Sequence, residues 1–260
     1  MVTDPTPPLT SMSTRLGALA KPGDSQPSGV RGNRLGSTST RPSDIEERIR
    51  AATDIAQPET LVWRTQRAII VPRGMPSRDY FAKASEACVA LGFPVHERDT
   101  GGDLTPQDPG VVNFSIGFEL RGSGASIKTA YQRLAAPLLA FLREAYGVAP
   151  YLSAVPGAFC DGDFNIVVDG RKLGGTAQRW KLAGGEGEER RVIVLGHVAL
   201  LADNDLGVAF DALDAFYAAS GSDRRIARER HVRMVDIAGA DRGSAGNVAR
   251  ALADFLYTRR

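Results

Sequence analysis

Two side chains with complementary chemistry lie twelve positions apart: the thiol of Cys160 and the amine of Lys172. A thiolate attacks a carbonyl and holds the acyl group as a thioester, and a nearby ammonium favours the thiolate or orients the carbonyl. Transfer from a thioester to an amine runs downhill and needs no nucleotide. Each residue also has a plainer reading. Cys160 fits a small buried residue at the start of a strand, and Lys172 a solvated side chain beside a turn. Asp161 and Asp163 flank the thiol and would oppose its ionisation if close, so they are expected to point away or to bind backbone amides.

The glycine-containing segments are Arg98-Asp99-Thr100-Gly101-Gly102-Asp103 and Gly170-Arg171-Lys172-Leu173-Gly174-Gly175-Thr176-Ala177-Gln178-Arg179. Neither has the Gly-Lys-Ser/Thr ending of a phosphate-binding loop or the Gly-x-Gly-x-x-Gly dinucleotide turn. Paired glycines beside a cation do allow close backbone approach to a ligand. For Arg98 a surface salt bridge is the competing assignment. His197, within an apolar run, reads as a strand histidine, and Trp63 and Trp180 as core or as lining of an apolar ligand site. His96, His197 and His231 are scattered, and with Cys88 and Cys160 they offer no metal-ligand spacing, so no metal is expected.

The elements that must position these groups follow from periodicity. A capping box at Ser43-Asp44-Ile45-Glu46 predicts a helix over 43–56. Short apolar runs at 61–63 and 68–71, the latter stopped by Pro72, suit strands. Ser77 is expected to cap a helix whose stripe of Tyr80, Phe81, Ala84, Ala87, Cys88 and Leu91 places Cys88 in the core. Alternation predicts a strand over 111–118, and a long helical pattern covers 126–146, with Pro137 inside as a kink or break and Gly147 at its end. Asp169-Gly170 between apolar runs predicts a hairpin, followed by a strand over 192–201 and helices over 206–219 and 244–257.

A two-residue turn there pairs Val167 with Lys172. Cys160 lies seven residues further along, roughly 23 Å at about 3.3 Å per residue, too far for one hydrogen bond. Shared chemistry therefore requires residues 157–163 to leave the strand near Phe164 and fold back, with Gly157 and Gly162 as the turning points.

The chain has 260 residues, 32 Lys and Arg, and 30 Asp and Glu, for a net charge of +2. That balance argues against nucleic acid. Residues 1–42 carry five basic and two acidic residues in a Pro-, Ser-, Thr- and Gly-rich stretch, which predicts a disordered tail ahead of one domain over 43–260. No apolar run is long enough for a membrane span, and no secretory signal opens the chain, so a cytoplasmic location is expected. Hairpins mixed with segregated helices give an α+β fold with a mixed sheet flanked by helices.

Arg98-x-x-Gly101-Gly102, the run from Asp108 through Asn113 to Ile116, and Cys160-x-Gly162-x-Phe164-Asn165 continuing to Gly175-x-Ala177-Gln178-Arg179 resemble the catalytic domain of lipoate-protein ligases, octanoyl and lipoyl transferases, and biotin-protein ligases. The missing Gly-Arg-Gly-Arg loop argues against the biotin branch. The resemblance implies an enzyme that places an octanoyl or lipoyl group on the lysine of a lipoyl carrier domain, such as the glycine-cleavage carrier or a 2-oxoacid dehydrogenase subunit. It also implies a tunnel for the acyl chain. Cys160 and Lys172 would then be catalytic, with Arg98, Gly101, Gly102, Asn113, Gly175, Ala177 and Gln178 binding substrate. Ligases of this family, which use ATP and Mg, carry a third glycine and a histidine where this chain has Asp103 and Gln107. Cys160 sits where the cysteine-using amidotransferases carry theirs, so the transferase, needing no cofactor, is favoured. An ATP-dependent ligase and a non-catalytic carrier-binding subunit are the alternatives.

Overall fold

Alternation of apolar and polar side chains resolves into two sheets in the computed structural model, which describes residues 31–35 and 59–258. Strands β1 (Arg31–Leu35), β2 (Glu59–Trp63), β6 (Val111–Arg121), β7 (Tyr151–Ser153), β8 (Asn165–Val168), β9 (Arg171–Gly184) and β10 (Arg191–Leu201) form a seven-stranded sheet, ordered β1-β2-β6-β10-β9-β8-β7. It is mixed: β1 runs parallel to β2, and the other neighbours are antiparallel. A smaller sheet of β3 (Ala68–Pro72), β4 (Val95–Arg98) and β5 (Thr105–Gln107) has the order β4-β3-β5.

Period two assigns the faces of the large sheet. Val112, Phe114 and Phe118 on β6, with Val192, Val194, Val198 and Leu200 on β10, pack under two helices. One is α2 (Ile127–Tyr146), opened by the Ser126 hydroxyl, which accepts from Thr129 N at 3.1 Å, and closed by Gly147 at φ 69°. The other is α5 (Ala245–Thr258). Buried Ala130, Leu134, Leu138, Phe141 and Leu142 form the inner stripe of α2, which continues past Pro137 to Tyr146. At Gly196 a Cβ would lie 2.8 Å from Leu134 Cδ1, so only glycine lets β10 approach the helix this closely.

Across the sheet, a second core joins Ile69 and Val71 of β3 to α1 (Phe81–Ala90) and α3 (Leu206–Ala219). Cys88 lies in that core, and burial pushes its thiol up to about 11. Between the two sheets lies a cleft lined by Ile70, Thr105 and Gln107 of the small sheet and by Trp63, Asn113 and Lys172 of the large one. No helix among the described residues is long and apolar enough to cross a membrane.

Several elements depart from the sequence reading. Arg31–Leu35, inside the stretch expected to be disordered, pairs with the edge of β2, whose backbone groups attract a partner strand. The helix expected over 43–56 falls outside the described residues. Ser77 caps nothing: its hydroxyl donates to Gly74 O within a turn, and α1 begins after Tyr80 without a side-chain cap. Helix α4 (Met234–Arg242) is additional, and Gly239 at φ 81° interrupts it, which blurs the 3.6-residue period that would reveal it. The short strands β4, β5 and β7 are likewise too brief to leave a periodic mark.

Candidate active site

Asp169 at φ 49° and Gly170 at φ 74° make the two-residue turn, so Val167 faces Lys172 and Val168 faces Arg171. One residue later the register shifts, and Lys172, Gly175 and Ala177 line the same cavity on the face turned away from α2. The ladder ends at Asn165, and residues 157–163 turn back over the sheet. Gly157 (φ 90°) is one turning point, where a Cβ would meet Ala227 Cβ at 2.9 Å. Cys160 is the other, at φ 41°, a left-handed conformation that costs a non-glycine residue about 1 kcal/mol and clusters at functional sites. Asp161 holds the turn: its Oδ1 accepts from Val155 N (2.7 Å), Gly162 N (2.9 Å) and Asn165 Nδ2 (2.8 Å).

Lys172 is fully buried beneath this turn. Its Nζ donates to Phe159 O at 2.6 Å and Cys160 O at 2.9 Å and lies 4.4 Å from the centre of the Phe159 ring. Burial pushes the ammonium down to about 8, with the Cys160 and Asp161 charges acting the other way. His231 braces the same turn from the opposite side. Its ring stacks on Phe159 at 5.0 Å, its Nε2 accepts from Phe159 N at 3.3 Å, and its Nδ1 therefore donates to Arg228 O. Burial, aided by the Lys172 charge, pushes His231 down to about 4, which keeps it neutral.

A second wall comes from the loop after β4. Arg98 is a loop organiser rather than a surface ion pair: Nε donates to Thr100 O, Nη1 to Thr105 Oγ1, and Nη2 to Gly101 O and Asp103 O. The thiol meets this loop directly. Asp103 N donates to Cys160 Sγ at 3.1 Å, and Arg98 Nη2 lies 4.0 Å from the sulfur. Gly102 (φ 111°) lets the loop approach, since a Cβ there would sit 2.7 Å from Arg98 Nη2 and 3.0 Å from Sγ.

Beside the thiol opens a cleft of about 580 Å³ counting its open mouth, lined by Trp63, Ile70, Phe159, Gly175, Ala177 and Ala199 among others. Polar groups in its wall are largely paired with each other: the Gln107 and Asn113 amides exchange bonds of 3.0 and 2.9 Å, and Trp63 Nε1 donates to Ser115 Oγ, which shares a 2.6 Å bond with His197 Nδ1. A second hollow of about 360 Å³ reaches Cys160 from the side of Tyr131, Asp163 and Phe164.

The fold thus gathers Cys160, Lys172, Arg98, Gly102, Asn113, Gly175 and Ala177. It leaves Gln178 outside, where its Nε2 reaches Ile127 O, and Gly101 exposed, with only its carbonyl engaged by Arg98. Of the tryptophans, Trp63 lines the cleft while Trp180 packs on the helix-covered core. His231 and Phe159 carry no signal in the sequence, since the contact between them spans 72 positions.

Residues 41–241 match the model of the lipoyl protein ligase A/B catalytic domain. The chain is 36% identical over 138 residues to the Octanoyl-[GcvH]:protein N-octanoyltransferase of Kyrpidia tusciae, an alignment covering 52% of this chain and 46% of that protein. The chain thus spans about half the length of that relative. It is 30% identical to an uncharacterized protein of Cupriavidus necator, over 63% of this chain and 67% of that one. Among solved structures, a lipoate-protein ligase A bound with ATP superposes with a TM-score of 0.55 at 19% identity, covering 77% of this chain and 73% of that chain, a likeness of fold.

Proposed function

We propose, from the premise that this chain belongs to the lipoyl protein ligase A/B catalytic-domain family, that it transfers an octanoyl or lipoyl group to the lysine of a lipoyl carrier domain through a thioester on Cys160. The observation that carries this reading is the thiol's setting, on a strained turn at the mouth of an apolar cleft with the Asp103 N–H 3.1 Å from Sγ. The curated relatives named as octanoyltransferases support the acyl group and the carrier.

In the first step Sγ attacks the acyl carbonyl of a donor carrier. The C–S bond forms, and the donor's leaving group departs with the proton of the thiol. In the second step the acceptor lysine's amine attacks the thioester: the C–N bond forms, the C–S bond breaks, and the amine proton returns to sulfur. Lys172 holds the Phe159 and Cys160 carbonyls and directs its remaining proton toward the acyl oxygen in the cleft. The Asp103 N–H fixes the sulfur in place for attack. Trp63, Ile70 and Phe159 seat the chain and keep water from the thioester.

Mass spectrometry of an acceptor carrier domain tests the reading. Incubation with an acylated donor carrier and no ATP should add the acyl mass, and Cys160→Ala should abolish it. Acylation by Cys160→Ala from free octanoate with Mg-ATP would replace this reading with the adenylate-forming ligase. Binding of the carrier without transfer in either arm would leave a carrier-binding subunit.

A further inference from the structure

Asp103 presents a contradiction that its surroundings resolve. A carboxylate next to a reactive thiol opposes ionisation of the sulfur, yet the residue's own backbone N–H is the donor on Cys160 Sγ. Both oxygens of the carboxylate are engaged by other partners. Its Oδ1 accepts from Leu104 N at 2.7 Å, and its Oδ2 accepts from Tyr217 Oη at 2.9 Å and from the Arg224 guanidinium. On the other side the Asp103 carbonyl accepts from Arg98 Nη2 at 2.8 Å.

The two anchoring side chains come from α3 and the segment behind it. Tyr217 is 7% exposed, and burial first, then the Asp103 charge, raise its phenol, so it stays a donor. Arg224 lies over the Tyr217 ring at 4.9 Å and also donates, through Nη2, to Ala158 O at 3.3 Å. One guanidinium therefore ties the loop that supplies the N–H to the turn that supplies the thiol.

We propose that Asp103, Tyr217 and Arg224 form a clamp that fixes the Asp103 N–H on Cys160 Sγ before any substrate binds, with Asp103 as its positioning residue. A glycine at 103 would keep the N–H and the Arg98 bond to its carbonyl but lose every side-chain bond that aims it. The clamp deepens the acyl-transfer reading and rests on it for its purpose, but its geometry concerns the free thiol and is testable without substrate.

The clamp and simple electrostatics predict opposite signs. Removing the carboxylate deletes a negative charge and frees Arg224, which by charge alone would speed thiolate formation. The clamp predicts the reverse: Asp103→Gly should slow iodoacetamide alkylation of Cys160 about tenfold at pH 7, with the rate followed as a profile across pH. Alkylation is read at the Cys160 peptide, since Cys88 is buried. Tyr217→Phe, which keeps the ring under Arg224, should slow alkylation about threefold, the cost of one hydrogen bond. Asp103→Asn, which keeps an acceptor for Leu104 N, should restore part of the rate lost in Asp103→Gly.

With an acylated carrier, kcat should fall in the same order while KM changes by less than about twofold, because the N–H acts on the sulfur and not on carrier docking. If Asp103→Gly fails to fold in thermal melts, Tyr217→Phe carries the test. An unchanged or faster alkylation profile in the folded variants overturns the clamp whatever the transfer assay reads. A slowed profile with no transfer by the wild-type chain upholds the clamp and removes the acyl-transfer reading.

Discussion

The two faces of the seven-stranded sheet use the same strands for opposite ends. Toward α2 and α5, β6 and β10 present Val112, Phe114, Val194 and Val198, a dry apolar surface. Toward the small sheet the alternate positions present Asn113, Ser115 and His197, joined by Lys172 from β9 and by Arg98, Thr105 and Gln107 from across the gap. Of these, all but His197 are less than one-tenth exposed. Burying polar groups is unfavourable unless they are paired, and the pairing returns only about 1 kcal/mol per hydrogen bond. The first face holds the fold together; the second gives up stability to keep paired polar groups and a strained thiol in fixed positions.

The contrast is sharpest where a large side chain leaves the helix-covered face. Phe141 on α2 is fully buried, and Phe141→Ala should lower the unfolding free energy by about 4 kcal/mol in urea titrations. A loss below about 1 kcal/mol would mean that this face is not the stabilising one.

On the cleft face the cost should appear as pH dependence. Lys172 is charged below about 8 in the fold but below 10.5 when unfolded, so the unfolded chain binds the extra proton between those values and stability rises with pH across the window. Relative to Lys172→Met, the wild type should gain about 3 kcal/mol between pH 8 and 10.5. Parallel curves for the two proteins would show that burial does not burden the ammonium.

His231 gives an effect of similar size in acid. Its folded value of about 4 against 6.5 means the fold excludes the charged form, so its contribution is complete above pH 6.5 and is lost as pH falls toward 4. His231→Gln, which does not titrate, should flatten the wild-type decline by about 3 kcal/mol over that window. An identical acid limb in both proteins would remove the imidazole from the turn's support.

The smallest stability effect should have the largest consequence for chemistry. Because Cys160 is held at φ 41°, Cys160→Gly should be neutral or stabilise the fold by about 1 kcal/mol while ending thioester formation. A marked loss of stability would show that the thiol packs as a core side chain.

The chain's own order determined more of this site than its fold class. Asp169-Gly170 sets a turn in which both residues take positive φ, that turn sets Val167 opposite Lys172, and the distance from there to Cys160 forces residues 157–163 off the strand. Such conclusions need only local backbone rules and the rise per residue, which is why they are readable without coordinates. Tertiary structure alone decided what completes the site. Tyr217 reaches Asp103 across 114 positions, His231 reaches Phe159 across 72, and Ser115 reaches His197 across 82. Contacts made through space between distant elements impose no period on either segment, so residues such as His231 and Arg224 look like ordinary polar positions until the chain has folded around the thiol.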